Sequence, residues 1–457
     1  MSYQGNTTIA AISTPLFKSG VGVLRVSGDR AIEISEEIFK SATPLGKLEG
    51  NTCIYGKVYS KSGEFLDEAV ATVFRAPKSY TGEDTVELSC HGSPTILKRI
   101  LRALLDSGAT LASGGEFTKR ALLNGKLSLT QAEAVIDIIE ADSSLAAKCA
   151  FSNRRGALYQ SLRSVCNELI SLEGHISALV DFPEEDLLDI PKEEISLRLN
   201  KALSELMRLK DTFYKGKLIS SGIPVAIVGR PNAGKSSLMN ALSGVQKSIV
   251  TEIEGTTRDV VEETICLESV NLILSDTAGI RETDDVVEKI GVERAKEAID
   301  SSALVLCVFD GNKNLSPEDM LVIENTRNTP RIAVINKEDL ELKIEKDVIE
   351  KEFEHIVFIS ASRKTGLDRL EKAILEISDI ESFDESMGVI ANERQFEAIS
   401  RAIESLSEAC RLDKIGETGD IVMMNVEDSI GALLALTGEK ASQKVVDDVF
   451  SRFCVGK

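Results

Sequence analysis

The sequence predicts a multidomain chain: a mixed α/β region, then an all-α region that is itself interrupted by a doubly wound α/β domain. Three observations carry this. The hydrophobic period is strand-like up to about residue 120, helical from about 127 to 217, and strand-like again from Ile223. A glycine-rich loop at 229–236 stands between a buried-strand signal and a helix. Helical periodicity returns after about 390.

The first region, residues 1–120, opens with short strands at Thr8–Ile12 and Gly22–Val26 around a Pro/Gly turn. Alternating segments at 52–59, 68–75 and 84–89 follow, separated by Pro, Gly and Asp, and an apolar-periodic helix at about 95–107 closes the set. The helical region, 121–217, carries apolar positions at three- and four-residue spacing from Leu129 through Leu158, Leu162, Val165, Leu169 and Leu172 to Leu179. Asp181–Asp186 interrupts it, and a further helix covers about 192–213. From 218 to 380, strand-like runs at 223–228, 270–275, 303–309, 331–335 and 355–359 alternate with helical stretches, the pattern of a largely parallel sheet. The last part, 381–457, reads as helices at about 390–412 and 426–453. Each helical set is too small for a confident core of its own, so the economical reading is one helical domain with the α/β domain inserted, tolerated when a domain's ends lie close together. A tandem array of three domains is the alternative the pattern leaves open.

The 457 residues, 43% apolar, suffice for real cores, and no run of about 18 apolar residues points to a membrane span. The start, Met1-Ser2-Tyr3-Gln4-Gly5-Asn6, has no secretory pattern. Eight cysteines scattered without a CxxC suit reduced thiols, and the expected location is the cytoplasm. A net charge of −20 argues against broad, non-specific nucleic-acid binding, while leaving room for a local basic patch.

Gly229-Arg230-Pro231-Asn232-Ala233-Gly234-Lys235-Ser236 is a phosphate-binding loop GxxxxGK[ST], continued by Ser237 on a helix. Glycines let successive N–H groups converge on phosphate oxygens, and the helix start adds unpaired donors. Lys235 is expected on the β- and γ-phosphates and the Ser236 hydroxyl on Mg2+. Asp276-Thr277-Ala278-Gly279 follows the strand at 270–275, offering a carboxylate for the Mg2+ shell and a glycine amide near the γ-phosphate. Asn336-Lys337-Glu338-Asp339 follows the strand at 331–335, and its Asp339 carboxylate can accept from guanine N1 and the exocyclic amine, which adenine cannot match. Ser360-Ala361-Ser362 closes over the base, and Thr257, in Gly255-Thr256-Thr257-Arg258-Asp259, is the switch threonine expected on Mg2+. These landmarks, in this order at strand ends, make the region a guanine-nucleotide site. Ile280 stands where small signalling GTPases carry a water-orienting glutamine, so another group must serve. The acids Glu282, Asp284, Asp285 and Glu288 are available, and the residues alone do not choose among them.

Over its whole length the chain resembles the MnmE (TrmE) family of tRNA-modification GTPases. The resemblance rests on Pro231–Leu238, on Gly255–Val260, on Gly82–Glu87 with Cys90-His91-Gly92, on Gly115–Arg120, Asn124–Leu127 and Gln131–Ala134, and on the tail Phe453-Cys454-Val455-Gly456-Lys457. It implies an N-terminal α/β domain that dimerises and binds a reduced folate (5-formyl- or 5,10-methylene-tetrahydrofolate), and a helical domain interrupted by a Ras-like P-loop GTPase domain. It further implies a homodimer, a heterotetramer or larger complex with the flavoprotein MnmG (GidA), and action on tRNA. There an aminomethyl or carboxymethylaminomethyl group is installed at C5 of the wobble uridine.

By the same resemblance Glu288 is the catalytic glutamate that orients water. Asn232 with Thr251, Ile253 and Thr256 would hold a K+ ion, although as a loop residue Asn232 could equally be chosen for a left-handed turn. Arg25, Glu87, Lys126 and Lys457 fall at folate-binding positions, cations suiting a carboxylate-bearing tail and a carboxylate the amino-pyrimidine edge. Cys454 becomes a candidate in the modification chemistry, whereas His91 reads as structural. The chain departs from the family pattern at Ser93, at Gly114 and over Val426-Glu427-Asp428-Ser429-Ile430, the last putting helical packing or partner docking in question. A ribosome-assembly or signalling GTPase, acting only as a conformational switch, is the competing reading. Residues 1–120 and the cysteine-bearing tail speak against it.

Overall fold

The computed structural model describes residues 7–181, 192–244, 263–274, 296–381, 388–451, 453, 454 and 456. Contacts divide the chain into two compact units, Met1–Ile136 with Ile430–Lys457, and Asp137–Ser429. By contacts, then, 121–136 and 430–457 go with the N-terminal region.

The first unit is built on seven strands: β1 (Ile9–Ile12), β2 (Ser19–Ser27), β3 (Phe39–Ser41), β4 (Thr52–Tyr59), β5 (Phe65–Phe74), β6 (Thr85–Gly92) and β7 (Thr110–Leu111), in the order β3-β4-β5-β6-β2-β1-β7. All neighbours are antiparallel except β1 and β7. Helices Ala31–Ile38 and Pro94–Asp106 pack into its core, the second burying Leu97, Ile100 and Leu104 at helical spacing against Leu24, Val26, Val86 and Leu88. The expected strands and the helix at 95–107 are present. Helix Ala31–Ile38 and the short β3 and β7 were not anticipated: Ala31-Ile32-Glu33-Ile34-Ser35 alternates like a strand, and only packing decides.

Helix Gln443–Ser451 completes this unit, burying Val446, Val449 and Phe450 against Leu129, Ala132 and Phe453, with Lys119 paired to Asp447 at 2.7 Å. Beyond it, Gly456 lies against the end of β1. Gly456, at φ 103°, sits so close that a Cβ there would meet the Ile12 carbonyl oxygen at 2.4 Å.

The second unit holds helices Ser144–Arg155, Ala157–Asp181, Lys192–Ser221 and Glu393–Ile415, and a sheet of β8 (Ile223–Val228), β9 (Glu263–Cys266), β10 (Asn271–Leu274), β11 (Leu304–Asp310), β12 (Arg331–Asn336) and β13 (His355–Phe358). The order β13-β12-β11-β8-β10-β9 is parallel throughout except for the edge strand β9. This is the topology of a Ras-like domain, reversing direction beside β8, where the crevice for a ligand opens. Strand β9 went unseen in the sequence because Glu263-Thr264-Ile265-Cys266 is short and carries no clear alternation.

The chain enters and leaves this sheet side by side. Lys215 pairs with Asp379, the Ile390 N–H donates to Thr212 Oγ1 at 3.1 Å, and the Asn153 side chain both donates to the Val389 carbonyl (2.9 Å) and accepts from its N–H (3.2 Å). Adjacent ends are what an inserted domain requires, so the fold is a helical domain interrupted by the α/β domain rather than a tandem array. The departures over Val426–Ile430 are packed: Val426 and Ser429 are fully buried, and the Ser429 hydroxyl donates to the Ala402 carbonyl at 3.0 Å.

Candidate functional site

Strand β8 delivers the chain into the loop 229–234, and helix Lys235–Ser243 starts where the loop ends. Two left-handed residues make the curl. Asn232 takes φ 60°, and Gly234, at φ 101°, lies so close to Asn336 that a Cβ would meet its Nδ2 at 2.1 Å. The turn role considered for Asn232 is therefore real, and its exposed side chain remains free to serve a cation as well. Lys235 Nζ donates to the Gly229 and Arg230 carbonyls at 2.8 and 2.9 Å, folding its ammonium back over the loop. Ser236 and Ser237 are exposed at the helix start, while Ala233 is fully buried and anchors the loop. Arg230 is tethered by Asp319 (3.4 Å).

The 336–339 and 360–362 segments, expected to recognise the base, meet the 229–236 loop through one side chain. Asn336, buried at the end of β12, donates from Nδ2 to the Ala233 carbonyl (3.3 Å) and accepts at Oδ1 from the N–H groups of Lys337 (2.8 Å) and Ala361 (3.1 Å). It thus ties the phosphate loop to both the 336–339 and the 360–362 segments. Lys337, at φ 67°, is held by Asp310 at 2.6 Å, a partner from β11 that sequence reasoning missed because the two are apart in the chain. Ser360 donates to Asp339 Oδ1 at 2.7 Å and lies 3.1 Å from the exposed Ser362 hydroxyl. That Ser360 hydrogen bond, with Arg363 nearby at 3.4 Å, holds the Asp339 carboxyl below its ordinary 3.8. At neutral pH Asp339 is therefore an ionised acceptor, the state needed to receive two N–H donors from one edge of a base.

The remaining expectations at this site, Thr251, Ile253, Thr256, Thr257, Asp276, Thr277, Ala278, Gly279 and Glu288, lie outside the described residues. Among the described residues no cluster of three or more His, Cys, Asp or Glu could hold a metal ion. Asn232 and Ser236, which supply only neutral oxygen donors, fit hard cations such as K+ and Mg2+ that take part of their shell elsewhere.

A second constellation lies in the first unit. Arg25 on β2 and Glu87 on β6 are register partners joined at 2.8 Å, and the Arg25 guanidinium stands 5.5 Å from the centroids of both Tyr80 and Phe117. Lys126 is exposed and donates to the Pro77 carbonyl (2.9 Å), so it sits on the loop that supplies Tyr80. Lys457 lies outside the described residues, but Gly456 beside it rests on Ile12 and Ser13, just beyond Ala11, the strand partner of Arg25. Arg25 and Glu87 thus face each other across β2 and β6, and Lys126 holds the loop that supplies Tyr80. The aromatic pair Tyr80 and Phe117 was missed, though Phe117 stands in the run Gly115–Arg120. A cation between two rings, with a carboxylate beside it, suits a flat aromatic ligand bearing amino groups and a carboxylate tail.

Around that face the surroundings are rigid. Arg120, fully buried, donates to the Thr7 carbonyl (2.8 Å), to Glu83 (3.2 Å) and to Glu116 (3.0 Å). Cys454 is exposed, and its carbonyl accepts from the Gly115 N–H at 3.3 Å. A Cβ on Gly114 would meet the Phe453 carbonyl oxygen at 2.5 Å, so the residue this chain carries there fits closely under the tail. His91 binds Asp67 through Nδ1 (2.7 Å) and its backbone N–H (2.9 Å), fastening β6 to β5 as a structural residue would. Ser93 precedes helix Pro94–Asp106 in ordinary extended conformation, so no glycine is needed there.

Two family models match the chain. A family model described as the MnmE helical domain matches residues 129–454, a span that contains the whole six-stranded sheet, and one described as the GTP-binding protein TrmE N-terminus matches residues 8–126. Among curated relatives, the tRNA modification GTPase MnmE of Clostridioides difficile is 38% identical over 98% of this chain and 99% of its own. That of Acetivibrio thermocellus is 40% identical over 98% and 99%. Among solved structures, a variant of Era from Aquifex aeolicus bound to GDP and tetrafluoroaluminate shares 34% identity over 40% of this chain and 65% of that one, at a TM-score of 0.27.

Proposed function

The chain belongs to the MnmE family of tRNA modification GTPases, and from that premise we propose that it hydrolyses GTP to drive modification of the tRNA wobble uridine. Together with the flavoprotein MnmG it installs an aminomethyl or carboxymethylaminomethyl group at C5, with a reduced folate as one-carbon donor. The observation that carries the reading is the co-occurrence, in one chain, of an Asn336-tied guanine site and a cysteine-bearing tail docked on the N-terminal sheet. A switch protein that performs no chemistry has no use for the second.

At the nucleotide site the loop amides of 232–236 and Lys235 take the phosphates, Lys235 exchanging the Gly229 and Arg230 carbonyls for them. Asp339 selects guanine, and Ser360, Ala361 and Ser362 close the base pocket. Mg2+ would be held by Ser236 and Thr257 and K+ by Asn232, Thr251, Ile253 and Thr256, supplying charge neutralisation as phosphoryl transfer proceeds. Glu288 positions the attacking water in place of a glutamine. Asp276, Thr277, Ala278 and Gly279 contact the γ-phosphate region.

In the N-terminal domain Arg25, Glu87, Lys126 and Lys457 hold the folate, Glu87 accepting from its amino-pyrimidine edge. Among the described residues Arg25 hydrogen-bonds through Nε alone, leaving its terminal nitrogens to a ligand. Cys454 acts in the modification chemistry beside it. Tyr55 and Val70, cross-strand partners on β4 and β5, are exposed, as a surface pairing with a second copy would be. As sequence units the domains run 1–120, 121–217, 218–380 and 381–457, although by contacts 121–136 and 430–457 pack with the first, and the protein acts in the cytoplasm. Among the described residues no helix is long and apolar enough to cross a membrane.

The test is mass spectrometry of wobble nucleosides from cells lacking the gene. C5-modified uridines should disappear and return on complementation. Unchanged nucleosides would leave the chain a GTPase and refute its role in tRNA modification.

A further inference from the structure

The chain is strongly acidic, yet from Ser143 to Asn167 it contains no Asp or Glu, while carrying Lys148, Arg154, Arg155 and Arg163. Helix Ser144–Arg155 sorts this stretch into two faces. Ala146, Cys149, Ala150 and Asn153 turn inward and line a cavity of about 60 Å³ together with Asp137 and Glu140, so those two carboxylates lie on the far side. Lys148, Phe151 and Arg155, spaced three and four residues apart, share the opposite, exposed face, with Phe151 50% accessible. On the following helix the exposed positions Gln160, Ser164 and Asn167 are polar and uncharged.

Several cations elsewhere in this unit are matched: Arg198 with Glu168 (2.6 Å), Arg208 with Glu205 (3.1 Å) and Lys217 with Glu393 (2.8 Å). Lys148 and Arg155, by contrast, have no carboxylate partner among the described residues. The helix that presents them is fixed at both ends. Its first amides, of Ser144 and Leu145, donate to the Glu268 and Ser269 carbonyls of the turn between β9 and β10, both at 3.2 Å. Near its other end Asn153 grips Val389 by two hydrogen bonds.

We propose that this face, Lys148, Phe151 and Arg155, is the surface by which the chain grips the RNA backbone of its tRNA. The proposal rests on the reading above that tRNA is the substrate. Two cations with no carboxylate partner among the described residues, about 10 Å apart along a helix anchored at both ends, meet two phosphates, and the phenyl ring between them meets the face of an unstacked base. An exposed aromatic between unpaired cations favours RNA over an acidic protein, whose carboxylates would make no use of the ring. The localisation also reconciles an RNA substrate with a net charge of −20, which disfavours contact with phosphates spread over the whole surface.

The experiment uses full-length protein and a fluorescently labelled, unmodified tRNA transcript, with anisotropy titrations from about 50 to about 250 mM KCl. Lys148→Glu with Arg155→Glu should weaken binding at least about tenfold and lower the slope of log affinity against log salt by about two, one per lost phosphate contact. Phe151→Ala should weaken binding about tenfold with the slope unchanged, because stacking releases no counterions. GTP hydrolysis should be unaltered in both variants, showing intact folding. Arg208→Glu, a charge reversal at a matched cation, should do much less. Wild-type affinity and slope in the double variant would overturn the proposal, as would an equal loss in Arg208→Glu. So would a double variant that keeps its tRNA affinity but no longer co-elutes with a protein partner, which would make the face a protein-docking surface. Failure of the underlying reading shows separately, as unchanged wobble nucleosides in cells lacking the chain.

Discussion

Replacing Asn336 with Ala removes a buried junction without touching any group expected to contact the nucleotide's phosphates. Three hydrogen bonds go: one to the Ala233 carbonyl at 3.3 Å and two from the Lys337 and Ala361 amides at 2.8 and 3.1 Å. The Ala233 and Ala361 groups are buried, and each left unsatisfied costs about 1–3 kcal/mol; Lys337 is half-buried and can recruit water. The vacated space beside Gly234 admits a water that offsets part of the loss. The expected total is about 2–4 kcal/mol, divided between domain stability and GTP affinity according to how far the loops stay joined without nucleotide. If the whole falls on binding, affinity drops about 30- to 700-fold. Titration with a fluorescent GTP analogue, paired with chemical denaturation of the same protein, measures both shares. Asn336→Asp keeps the acceptor for the two amides but sets an oxygen against the Ala233 carbonyl, and should fall between wild type and Ala. Wild-type affinity together with a wild-type denaturation midpoint in Asn336→Ala would refute the idea that one side chain ties the loops together.

Asp339→Asn should shift preference from guanine towards xanthine nucleotides, since the amide presents a donor where the xanthine C2 oxygen accepts; equal GTP affinity in calorimetry counts against the assignment. Glu288→Ala should leave GTP affinity nearly intact while lowering turnover by orders of magnitude, and Asn232→Ala should erase the rate difference between K+ and Na+, both read in a phosphate-release assay. Gly456→Ala places a methyl 2.4 Å from the Ile12 carbonyl at a left-handed φ of 103°. The tail should then leave the sheet, raising its carboxypeptidase sensitivity with GTP hydrolysis unchanged; a tail as resistant as wild type would show that the close fit is not required. The hydrogen bond that the His91 ring donates to Asp67 raises the His91 pKa above 6.5, so its contribution to stability is fully present below 6.5 and is lost as pH rises through the folded value. The His91 ring should titrate above 6.5 by NMR and return towards it in Asp67→Asn.

The sequence by itself determined the fold class, the order of the longer elements and the nucleotide motifs. Each is written in contiguous residues: the period of the apolar positions, the Gly229–Ser236 loop between strand and helix, and Asn336–Asp339 at a strand end. Tertiary structure decided what joins distant residues. No local pattern shows that Asn336 reaches Ala233 and Ala361, that Lys337 leans on Asp310, or that Arg25 stands between Tyr80 and Phe117 beside Glu87. Inserted rather than tandem domains was likewise a matter of adjacent chain ends, visible only as Lys215 with Asp379 and Asn153 on Val389. The short elements Ala31–Ile38 and β9 escaped for a related reason, their periods being too brief to outweigh packing. Spacing along the chain fixes which way a side chain points from its own helix or strand. What it meets there depends on the closure of loops tens to hundreds of residues long, as with Asn153 and Val389, 236 positions apart.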